Sequence, residues 1–123
     1  MRVLIVGDDV VIAMHLAMLV ADFGHEVCAT ARTSTEAMVQ AAALTPDVVL
    51  MDIRLADGDS GLDVARELHA SKGLRCIFVS GNLDKPTRTA LLPYEPIEFV
   101  SKPVVPVALQ RALRKAEEGV TEL

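Results

Sequence analysis

The chain has 123 residues, 51% of them hydrophobic but only 3% aromatic, and a formal net charge of −5. Such a length suffices for one compact domain, whose core must be aliphatic and which lacks aromatic platforms on which bases could stack. The acidic balance argues against attraction to nucleic-acid backbones, so direct DNA binding is not expected.

The opening MRVLIV predicts a strand over residues 2–6 and not a cleavable leader. It runs into Gly7, Asp8 and Asp9. Residues 10–23 predict a helix that is apolar nearly all round; with His15 inside it, the stretch is too short for a membrane span. Ile12, Leu16, Leu19 and Phe23 form its expected core stripe. Val11, Met14 and Met18 are then left either as an exposed surface, for a partner or a homodimer, or as packing against the last helix.

A strand over 26–31 precedes a helix over 34–44, capped by Thr33 or Ser34 with Glu36 in its first turn. A strand over 47–51 leads into Asp52 and a flexible ADGDSG loop. The helix over 61–72 should turn Leu62, Ala65 and Leu68 inward and Asp63, Arg66 and His69 outward. A strand over 75–79 ends at Ser80 and Gly81. The helix at 85–92 is the weakest, since Pro86, Pro93 and Pro96 interrupt its segment and make that surface short or mobile. A strand over 96–100 precedes Lys102 and Pro103, and Pro106 opens a helix over 106–118. Gly24 and Gly73 follow helix ends. The final EEGVTEL should fray, leaving one domain at 1–119, a tail at 120–123 and no output domain.

Strict alternation of strand and helix means right-handed crossovers and a parallel sheet covered on both faces. A cytoplasmic protein is expected, without membrane contact. Cys28 and Cys76 lie in strand-like runs, as buried thiols would. His15, His25 and His69 share no metal-binding spacing.

The chemistry lies at the strand ends. Ligands of an open parallel sheet sit outside the carboxyl ends of its strands, where the strand order reverses. Asp8, Asp9, Asp52, Ser80 and Lys102 should therefore meet in one crevice. Three carboxylates repel one another unless a hard cation such as Mg²⁺ joins them, and such a cation brings a phosphate as its guest. Asp52 is the candidate nucleophile toward phosphorus, Lys102 the fixed ammonium, and Ser80 a donor to a phosphoryl oxygen. Arg54 and Asn82 flank the phosphate position. Plainer roles exist for each: Asp8 or Asp9 as a helix cap, Asp52 as a loop-edge acid, Ser80 as a turn residue, and Arg54 and Lys102 as surface cations.

The motifs GDD (residues 7–9), MDIRLADGDSGLD (51–63), FVSG (78–81) and FVSKP (99–103) together resemble the receiver domains of bacterial two-component response regulators, over nearly the whole chain. The resemblance implies a flavodoxin-like, doubly wound α/β fold with strand order 2-1-3-4-5. It also implies Mg²⁺, or Mn²⁺, bound by Asp9 and Asp52 directly, by Asp8 through water and by the Arg54 backbone carbonyl. A sensor histidine kinase or histidine phosphotransferase would phosphorylate Asp52. Ser80 corresponds to the switch hydroxyl, Phe99 to the aromatic switch, Lys102 to the phosphate-binding lysine, and Lys102-Pro103 to a cis peptide. The implied function is a phosphorylation switch or phosphorelay element that signals to a downstream protein and turns over no outside substrate.

Departures from the pattern are Val10, where an acid often follows the pair, Phe99, which lacks a tyrosine's hydroxyl, and the proline-rich fourth helix. FVSGN and the LADGDSG loop resemble the alphaproteobacterial single-domain and stress-pathway group. The competing readings are a degenerate receiver that binds partners without phosphate, and a small aspartyl-phosphate phosphatase of the haloacid dehalogenase type. The latter places D-x-D after its first strand, whereas here the acids are adjacent.

Overall fold

The computed structural model describes residues 1–121, apart from Ala56, Asp57 and Asp59. Five strands lie within the described residues: β1 (Arg2–Val6), β2 (Glu26–Ala31), β3 (Val48–Asp52), β4 (Cys76–Ser80) and β5 (Glu98–Ser101). They alternate with helices α1 (Val10–Asp22), α2 (Ser34–Leu44), α3 (Gly61–Lys72), α4 (Lys85–Leu91) and α5 (Pro106–Thr121). All strand pairs are parallel, in the order β2-β1-β3-β4-β5. The parallel sheet expected from alternation is thus present, with the flavodoxin-like strand order that the resemblance implied. The strand order reverses at β1, whose neighbours are β2 and β3, so the ends of β1 and β3 open into one crevice.

Alternation along the strands builds two aliphatic layers. Val3, Ile5, Val48, Leu50, Ile77 and Val79 face Leu16 and Val20 of α1 and Leu109, Ala112 and Leu113 of α5. Leu4, Val6, Val49, Met51 and Phe78 face Ala37 and Ala41 of α2, Val64, Ala65 and Leu68 of α3, and Leu91 of α4. Cys76 is fully buried in the second layer, which pushes its thiol up to about 12, so it packs there as a neutral group. Cys28 is half-buried. No helix among the described residues is long and apolar enough to cross a membrane.

Several boundaries move. β3 and β4 each run one residue past the expected end, because Asp52 pairs with Val79 and Ser80 with Ser101. Both polar residues are therefore strand residues with fixed backbones. α4 lasts only seven residues, with Pro86 in its first turn, and a 3₁₀ turn over Leu92–Tyr94 follows. Pro93 cannot donate a helical hydrogen bond, so the helix gives way to that tighter turn. α5 continues to Thr121, past the expected end at Glu118, and residues 122 and 123 of EEGVTEL lie outside the described residues. The flexibility expected of ADGDSG falls largely on residues outside the description.

In α3, Val64 is buried with Ala65 and Leu68, while Leu62 is only half-buried. His69 is not fully outward, meeting the edge of Tyr94 at 6.2 Å between centroids and Glu95 at 3.5 Å. In α1 the expected stripe packs on the core, but Val11, Met14 and Met18 remain 62–75% exposed. They do not pack against α5.

The β3–α3 loop returns tightly to the sheet: the Gly61 N–H donates to the Ile53 carbonyl at 2.6 Å. A Cβ on Gly61 would collide with the Asp52 carbonyl oxygen and lie 2.9 Å from the Ile53 Cα. Gly61→Ala should therefore cost roughly 2–3 kcal/mol, because only backbone can move aside. Urea unfolding should show a lower midpoint with an unchanged slope.

Candidate functional site

Asp52 ends β3 and is the one charged residue buried among those described, at 8% exposure. Its Oδ1 accepts from the Arg54 N–H at 3.2 Å, and its Oδ2 lies 2.5 Å from the Lys102 ammonium. Lys102 reaches it because β5 pairs with β4, and the Lys102 N–H then donates to the Ser80 carbonyl at 3.0 Å. The Lys102-Pro103 peptide is cis. Ser80 is half-buried at the end of β4, and its hydroxyl accepts from the Asn82 N–H at 3.2 Å.

One open crevice is lined by Asp8, Asp9, Asp52, Arg54, Ser80, Gly81, Asn82 and Lys102. It gathers most of the residues named from sequence. Pro103 borders a neighbouring cleft with Ile12, His15 and Val104. Phe99 sits on β5 beside Phe78, the rings stacked at 5.8 Å and 24°. The Arg88 guanidinium of α4 lies 5.2 Å from the Phe99 ring centroid, a cation–π contact that sequence did not announce.

The two adjacent acids have different surroundings. Asp9 is exposed and caps α1, its Oδ1 accepting from the Val11 and Ile12 N–H groups at 3.0 and 3.1 Å. Asp8 is half-buried and also borders a second cleft, with Ile53, Arg54, Leu55, Gly58 and Ser60. Among the described residues, no three His, Cys, Asp or Glu side chains form a ready-made cation cage. The reason is local: Asp9 is turned to the start of α1, and Asp52 to Lys102. Two carboxylates and neighbouring backbone oxygen still suit a small hard cation, which keeps several of its waters. The donor set therefore fits Mg²⁺ or Mn²⁺.

The response regulator receiver domain pattern matches residues 3–114. The chain belongs to the response regulator receiver family. It is 36% identical over 116 residues to the phyllosphere-induced regulator PhyR of Methylorubrum extorquens, covering 94% of this chain and 43% of that protein. The crystal structure of the response regulator PhyR from Brucella abortus superposes with a TM-score of 0.82 at 35% identity, over 98% of this chain and 50% of the other. The signal receiver domain of a modulated diguanylate cyclase from Desulfovibrio desulfuricans G20 gives 0.88 at 29% identity, over 99% and 98%. This receiver spans about half the length of the curated relatives it matches. Family membership sets aside the haloacid dehalogenase reading, and receivers are signalling modules of two-component systems.

Lys102 holds a buried charge in place, so Lys102→Met should destabilise the cation-free protein by about 2–4 kcal/mol. Part of that loss should return in the double variant with Asp52→Asn, which removes the stranded carboxylate. Urea unfolding of the four-member cycle checks both expectations.

Proposed function

We propose that this receiver is a phosphorylation switch whose phosphoacceptor is Asp52. The carrying observation is that Asp52 is buried, fixed through one oxygen by the Arg54 N–H and set 2.5 Å from Lys102 through the other. The phosphoryl donor is a sensor histidine kinase or a histidine phosphotransferase. An Asp52 oxygen bonds to phosphorus as the bond from phosphorus to the donor's imidazole nitrogen breaks. Lys102 then pairs with a phosphoryl oxygen in place of Asp52. Ser80 turns its hydroxyl toward another phosphoryl oxygen, giving up the Asn82 N–H.

Mg²⁺ or Mn²⁺, held among the carboxylates of the crevice and the Arg54 carbonyl, would offset charge on the phosphoryl oxygens. Movement of Ser80 is felt next at Phe99 and Arg88, which tie β5 to α4. Phosphorylation thereby shifts the population of a surface that a downstream protein reads. In this reading residues 1–119 act as one receiver unit in the cytoplasm. Output passes through protein contacts, homodimerisation included, with no nucleic acid or membrane bound directly.

The test is the intact mass after incubation with acetyl phosphate and Mg²⁺. One phosphoryl adduct is expected on the wild type, and none on Asp52→Asn or in the presence of a chelator. A wild type that takes neither this adduct nor a beryllofluoride mimic would instead support a phosphate-independent binding module.

A further inference from the structure

We propose that Gly7 makes the cation site of this receiver a two-carboxylate site, formed by Asp8 and Asp52, while Asp9 serves only to hold the start of α1. The inference rests on the receiver reading of the same crevice and changes which residues hold the divalent cation there. Asp9 is the N-cap of α1, with extended backbone angles (φ −90°, ψ 109°), and one of its oxygens already accepts two helix N–H groups. Those bonds satisfy two of the helix's four free donors, and a carboxylate there also favours the helix dipole. Both bonds fall on Oδ1, so Asp9 could offer that oxygen to a cation only by giving them up. Asp8 has no such commitment. It lies beside Arg54 in both clefts it borders, and one of these, the open crevice, also holds Asp52.

Gly7 explains what is missing. Its N–H donates to the Ala31 carbonyl at 2.9 Å, which fixes its backbone at the end of β1. A Cβ built there would lie 3.1 Å from the Asp52 Cβ and 3.5 Å from Asp52 Oδ2. A side chain at position 7, just past β1, would therefore project onto the Asp52 carboxylate, and glycine there offers no oxygen. Gly7, Asp9, Ile12, Asp52 and Lys102 instead line a small gap beside that carboxylate. With nothing at position 7 competing for it, the Lys102 ammonium stays on Asp52 Oδ2. The cation must then displace that contact with the help of Asp8 alone. A divalent cation such as Mg²⁺ or Mn²⁺ binds more weakly here than three carboxylates would allow, since affinity rises with ligand charge.

The experiment is titration calorimetry of Mg²⁺ and Mn²⁺ into cation-free, unphosphorylated protein, with the melting temperature followed in parallel. Asp8→Asn should weaken binding about tenfold or more. Asp9→Asn should leave it within about twofold, because Asn caps a helix as well as Asp does. Gly7→Asp should tighten binding about tenfold and enlarge the rise in melting temperature that Mg²⁺ produces. Gly7→Ala, the steric control, should shift the melting temperature and leave affinity unchanged.

Equal losses in Asp8→Asn and Asp9→Asn would overturn the proposal, as would a folded Gly7→Asp protein that gains no affinity. Should Gly7→Asp fail to fold, the two asparagine variants decide the matter alone. Wild type that binds no cation would refute the assignment to Asp8 and Asp52, whether or not Gly7→Asp binds one. Every readout concerns binding without phosphate. Failure of Asp52 to take a phosphoryl group, with this pattern of affinities intact, would remove the switch and leave the cation assignment standing.

Discussion

The contact between Lys102 and Asp52 is the constraint on which the rest of the arrangement depends. A carboxylate at the end of a central strand, with its side chain 10% exposed, is tolerable only if a cation faces it. The two residues are fifty positions apart, and only the sheet brings them together. β3 sets the height of Asp52, β4 pairs with β3 through Asp52 and Val79, and β5 pairs with β4 through Ser80 and Ser101. A slip of one residue in either ladder would turn Asp52 into the core or carry Lys102 out of reach. The charge pair and the strand register therefore specify each other.

Much of this was legible in the sequence because the two periodicities are simple. β-branched runs alternating with helical segments predict a parallel sheet, and polar residues recurring at strand ends predict one crevice. Asp8, Asp52, Ser80 and Lys102 were found this way. The strand ends were misplaced by about a residue, since hydropathy stops at Met51 and Val79 whereas hydrogen bonding continues through the polar residue. The length of α5 was underestimated because Gly119, Val120 and Thr121 are poor helix formers and read as the helix end, although the helix continues through them.

Other features could not be read from the chain alone. A cap and a cation ligand both call for a short acid, so the spacing of Asp8 and Asp9 does not say which does which. Backbone geometry marks the cap, because Asp9 immediately precedes the first turn of α1 and Asp8 does not. Gly7 carried no signal, since its effect lies in a side chain that is absent. Arg88 was equally silent: its placement over Phe99 depends on the angle of a seven-residue helix and on the reach of a long side chain.

That short helix explains how a change at Asp52 could reach the surface at small cost. α4 buries only Leu91, and its N-terminus is held by Asp84, whose carboxylate accepts from the Thr87 N–H at 2.9 Å. Hydrogen bonding from the Thr87 side chain, and then from its N–H, holds the Asp84 carboxyl below its ordinary range. Its support for the helix is accordingly present above the unfolded-state pKa and is lost as pH falls through the folded value. Beyond this cap, Arg88 fastens the helix through the Leu83 carbonyl and the Phe99 ring. An element with one apolar anchor and a few polar ties has a low cost of local rearrangement, whereas the sheet beneath it, buried on both faces, does not yield. A displacement of Phe99 by a fraction of its own size would thus pass through Arg88 into α4 and not into the strands, because α4 is the weaker attachment that its ring meets.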